Sequence, residues 1–126
     1  MNADSIVIRG VQASYRPGTS ISGSVEWSTT KAIDALVIKL LWMTSGASPC
    51  QIGVVDSFKI GQPNSYGTSG FEFHIPEGPW SFEGRLLGLA WAVEAVALPS
   101  KQHVQVIFEM MPAHHSSNLY RTEAES

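Results

Sequence analysis

The chain has 126 residues and a formal charge of −3, with only eight Lys and Arg, placed one at a time along its length. That excludes the dense cationic run that neutralises phosphates, so neither nucleic acid nor an anionic membrane surface is an expected partner. The length fits one domain that buries about two-thirds of its unfolded surface, and Cys50 is the sole cysteine, so no intrachain disulfide can form.

No stretch reaches the roughly 18 apolar residues of a membrane helix, and MNADSIVIRG lacks a basic segment followed by an apolar one, so no secretory leader and a cytoplasmic location are expected. Charged residues make up 15% of the chain against 44% hydrophobic, low for a fully solvated surface, which implies that part of the surface is covered by something else.

Ser5 to Arg9 is a short strand with Ile6 and Ile8 on one side. Tyr15-Arg16-Pro17-Gly18 is a turn, since proline presets one φ and glycine accepts a positive one. Ser20 to Ser28 alternates Ile21, Gly23, Val25 and Trp27 against polar residues, a half-buried strand. In Ile33 to Thr44, Leu36, Ile38, Leu40 and Trp42 share one phase. Helix formers and Asp34 make a helix the competing reading there; the bracketing turn residues and period-two neighbours favour a strand.

Ser45 to Gly53 is a loop, Val54 to Ile60 a weaker strand, and Gly61 to Ser69 a polar loop. Phe71, Phe73 and Ile75 alternate with Glu72 and His74 up to a corner at Pro76, Gly78 and Pro79, which cannot continue a ladder. After Gly84, Leu87, Leu89, Trp91 and Val93 alternate with small residues, which marks the central strand. Lys101 to Met110 is the last strand. The domain is expected to end at residue 111, with a flexible tail over 112–126. About seven strands and no convincing helix define an all-β chain, an antiparallel sandwich of immunoglobulin-like type.

Several segments in order carry a family resemblance: Tyr15-Arg16-Pro17-Gly18 with Ile21, Gly23 and Val25; Leu36 to Leu40 ahead of Trp42; Phe71-Glu72-Phe73 with Ile75-Pro76 and Gly78-Pro79; Ser81 to Gly84; and Trp91 to Ala95. This series resembles the N-terminal domain of arrestin-like proteins, a group that includes the arrestins, the related retromer-subunit family and bacterial sporulation-control proteins. The resemblance implies a β-sandwich that works as an adaptor or scaffold by protein–protein contact, with no catalytic centre. Two departures accompany it. Arrestin-like proteins carry two such sandwiches in tandem, and the polar core and phosphate-sensing cations of arrestins match no positions here.

The outward phases carry the clearest functional signal, because a solvated sheet face is normally polar. Val37, Leu41 and Met43 lie on the second face of one strand, and Leu86, Ala90 and Ala92 on that of another. With Trp80 at a loop tip, the residues Val37, Leu41, Met43, Trp80, Leu86 and Ala90 form the expected partner-binding set. The partner is a protein, a second copy of the chain among the candidates. Ser5 to Arg9 and Val54 to Ile60 are the expected edge strands, open to pairing.

Other chemistry finds less support. His74 and His103 stand alone on outward phases and His114-His115 lie in the tail, which is not the converging set zinc requires, so no metal or cofactor is expected. Pairing His74 or His103 with Ser81 or Cys50, oriented by Glu72 or Glu77, has no elbow motif behind it, so no catalytic residue is assigned. The alternative function is a small-ligand or carbohydrate site formed by Trp80, Tyr66 and the 61–69 loop.

Overall fold

The computed structural model describes residues 4–46, 50–83 and 88–112. The period-two segments form nine strands among them: β1 (Ser5–Arg9), β2 (Ser14–Tyr15), β3 (Ser20–Ser28), β4 (Ala35–Ser45), β5 (Ile52–Gly61), β6 (Tyr66–His74), β7 (Phe82–Glu83), β8 (Gly88–Leu98) and β9 (His103–Met110). A three-stranded sheet runs β1-β3-β6. The larger sheet runs β2-β9-β8-β4-β5, with β7 paired to β8. The chain is thus an all-β sandwich, and β8 is the interior strand its alternation predicts.

The two sheets are joined by the side chains the alternation selects. Ile21 and Val25 of β3 with Phe71 and Phe73 of β6 face Leu36, Ile38 and Leu40 of β4, Trp91, Val93 and Ala95 of β8, and Phe108 of β9. Each fully buried Leu or Ile side chain contributes about 1.5–3 kcal/mol. Trp91 is fully buried and donates its indole N–H to the Pro79 carbonyl at 2.7 Å, so its one polar atom is satisfied. Phe58 of β5 meets Phe73 edge-on, with centroids 6.0 Å apart, bringing the β5 edge of the large sheet onto the small one.

The Arg16 to Thr19 turn takes the form its residues demand. Thr19 N–H donates to Arg16 O at 3.3 Å across Pro17 and Gly18, and Gly18 has a φ of 81°. Positive φ at the third position is the type II requirement that glycine meets without a Cβ clash. Trp42 is half-buried because its indole lies across Gly53, its partner on β5: a Cβ there would stand 2.2 Å from the ring.

The structure corrects the sequence reading in four places. The short strands β2 and β7 raise the total above seven, and β2 runs parallel to β9, so the larger sheet is mixed. Residues 66–69 belong to β6, which shortens the expected 61–69 loop. Most consequential is a bulge in β5: Leu40 pairs with Asp56 but Leu41 with Val54, leaving Val55 as the extra residue. Such an insertion exchanges the two faces of the strand beyond it. Val54 therefore joins the outer side with Leu41 and leaves the phase of Phe58. The expected tail falls almost wholly outside the described residues.

Candidate functional site

Register fixes which side chains share the outer face of the large sheet, since directly paired residues project to the same side. One row crosses four strands: Val54 on β5, Leu41 on β4, Ala92 on β8 and Ile107 on β9. Its middle is buried, with Leu41 at 3% and Ala92 at 0% exposure, while Val54 and Ile107 at its ends stand 52% and 60% exposed. A second row, Ile52, Met43 and Ala90, lies next to it, with Ile52 exposed.

A polar row closes the patch on one side. Lys39 pairs with Glu94, their charged groups 3.9 Å apart, and Gln105 donates to the second Glu94 oxygen at 3.1 Å. Val37 lies beyond this row, opposite Lys59 and Val96, so it is cut off from Leu41 and Met43. The expected face is therefore not one continuous apolar surface. It is a patch over half of the sheet, bounded by the Lys39, Glu94 and Gln105 contacts.

At its other side the patch opens into a groove of about 1050 Å³ at the β7 end of the sheet, lined among others by Trp80, Phe82, Ala90 and Ile107. The small residues of β8 make this possible: Gly88 and Ala90 give a low floor where larger side chains would fill the sheet face. Phe82 is half exposed and Trp80 is 44% exposed, its indole N–H donating to the Glu77 carbonyl at 2.9 Å. Ser81 is buried between them, accepting the Met110 N–H at 2.9 Å, so the hydroxyl ties this corner to β9.

Of the expected binding residues, Met43, Ala90 and Trp80 lie on the patch or its groove, Leu41 is buried in its centre, Val37 is separated, and Leu86 falls outside the described residues. Val54, Ile52, Ile107 and Phe82 are patch or groove residues that the expected set omits. Ile107 was readable as the one apolar residue on the phase it shares with His103, Gln105 and Glu109; Val54 was hidden by the bulge.

The alternative ligand site does not assemble. Gln62 N–H donates to Asp34 O and Asp34 N–H to Leu98 O, which places the 61–69 segment at the Leu98 end of β8. Trp80 lies at the Gly88 end, eleven residues of extended strand away. His74 on β6 and His103 on β9 are exposed on different sheets. Among the described residues, no three or more His, Cys, Asp or Glu are placed to hold a metal ion. Strands β1 and β5 are both sheet edges, as expected. No helix among the described residues is long and apolar enough to cross a membrane.

Solved structures share this architecture. The sporulation control protein Spo0M of Bacillus subtilis superposes with a TM-score of 0.67 at 14% identity, over 99% of this chain and 56% of that one. The β-glucosidase of Listeria innocua, in structures with isofagomine and with glucose, aligns at a TM-score of 0.50 and 16% identity over 86% of this chain, but over 16% of its own. The chain thus spans about half of Spo0M and a small part of the glucosidase. No family model matches the sequence, and no curated protein matches it. The likeness to Spo0M makes the fold arrestin-like, as the resemblance implied, and at this identity it speaks for the fold alone.

Proposed function

We propose that this domain is a non-enzymatic adaptor or scaffold of arrestin-like fold, acting in the cytoplasm, that binds a protein through the apolar half of its large sheet's outer face and the adjoining β5 edge. The observation that carries this reading is the row from Val54 to Ile107, buried in the middle and exposed at both ends. A solvated face gains nothing from such a row, whereas a partner would bury its exposed ends. The β5 edge adds backbone groups that no second strand among the described residues pairs, beside exposed Val54 and Val55, the arrangement that strand addition uses.

The test places charge at the exposed ends rather than at Leu41, whose burial would confound binding with unfolding. The Val54→Glu, Ile107→Glu double variant is expected to keep the thermal midpoint within a few degrees, since exposed substitutions usually change stability by less than about 0.5 kcal/mol. Its mass by light scattering and its co-purifying proteins are compared with wild type. Loss of a dimer or of a stoichiometric partner in a folded variant is the expected result; identical assemblies in both would refute use of this face.

A further inference from the structure

The groove at the β7 end carries a charge signature that the rest of the patch lacks. Glu83 and Glu109 both line it, both are exposed, and neither has an ion-pair partner among the described residues. Glu83 pairs with Gly88 on β8, and Glu109 follows Ile107 by two residues on β9, so both carboxylates share the outer side with Ala90 and Ile107. No Lys or Arg is among the described residues lining the groove. The Lys39 and Glu94 pair shows the contrast, because there the neighbouring strand supplies the cation.

We propose that this groove takes a segment of a partner protein in which an apolar or aromatic side chain is flanked by Lys or Arg. The apolar side chain settles on the Ala90 floor beside Ile107, and the cation bridges toward Glu83 and Glu109. Charge complementarity selects this occupant: an acidic segment would meet two exposed carboxylates that no cation among the described residues pairs, and a purely apolar one would leave them facing its desolvated backbone. This inference rests on the adaptor reading and adds the partner's chemistry to it.

A phage-displayed library of random peptides panned against the full-length protein tests it. Enriched peptides are expected to pair Leu, Phe or Trp with Lys or Arg. A representative peptide should bind the Glu83→Lys, Glu109→Lys variant about tenfold more weakly, a change of about 1.4 kcal/mol, and should lose binding to Ala90→Trp, which fills the floor. Apolar enrichment without basic residues, or binding indifferent to the charge reversal, overturns the inference while leaving the adaptor reading intact. No enrichment overturns it too, and cross-linking from position 107 then decides whether the adaptor reading survives. If the dominant binder is a synthetic peptide of residues 113–126, or if wild type is a dimer that the charge reversal dissociates, the occupant is this chain itself and the inference fails.

Discussion

Replacing Trp91 by alanine is expected to cost about 3–5 kcal/mol, a large share of the roughly 5–15 kcal/mol that holds an ordinary domain folded. Three properties coincide at this residue. Its ring is fully buried, it packs on Phe108 with centroids 6.3 Å apart, and it stands opposite Trp42 on the neighbouring strand. Its indole N–H also satisfies the Pro79 carbonyl, fixing the corner that carries Trp80 and β7. Urea unfolding measures the loss. Trp91→Phe separates the contributions: it keeps most of the volume but leaves that carbonyl without its donor, an expected cost of about 1–3 kcal/mol. A loss below about 1 kcal/mol for the alanine variant would contradict the packing described.

Gly23→Ala is expected to detach β1. A Cβ at this position would lie 2.2 Å from the Arg9 carbonyl oxygen and 2.9 Å from Phe71 Cζ. The phenyl ring can yield; the carbonyl cannot, because Arg9 is paired with Ser24 in the β1 and β3 ladder. The expected loss is about 2–3 kcal/mol, with amide exchange accelerated in Ser5–Arg9 and largely unchanged in β4 and β8. Uniform acceleration, or none, would contradict a clash confined to this edge. The Arg9 and Glu26 ion pair on the same two strands offers little compensation, since both side chains are well exposed.

Alternation made most of the fold readable, because a sandwich strand has to place every second residue in the core. Ser5–Arg9 and Ser20–Ser28 form over the spans expected, and Leu36, Ile38 and Leu40 face inward as their phase requires. Two short strands escaped, since two residues show no period: β2 hides in the turn before Pro17, and β7 follows a proline corner. The candidate surface was less legible. A single inserted residue at Val55 moved Val54 to the outer face, and no pattern in VVDSFKI announces a bulge. Lys39 looked like one cation on an apolar strand; only the register with Glu94 and Gln105 shows that it divides the face and isolates Val37. The groove depends on β7 and β9 both pairing with β8 from separate parts of the chain, which periodicity does not report.

The most direct test of the adaptor reading is site-specific photo-cross-linking in the native cell, with the photoreactive residue at position 107 on the apolar patch and, in parallel, at position 72 on the exposed phase of β6. A discrete protein adduct from position 107, absent at 72 and lost on adding Val54→Glu, is the predicted result. Adducts from both positions alike, or from neither, would contradict the claim that this sheet face is where the domain meets its partner.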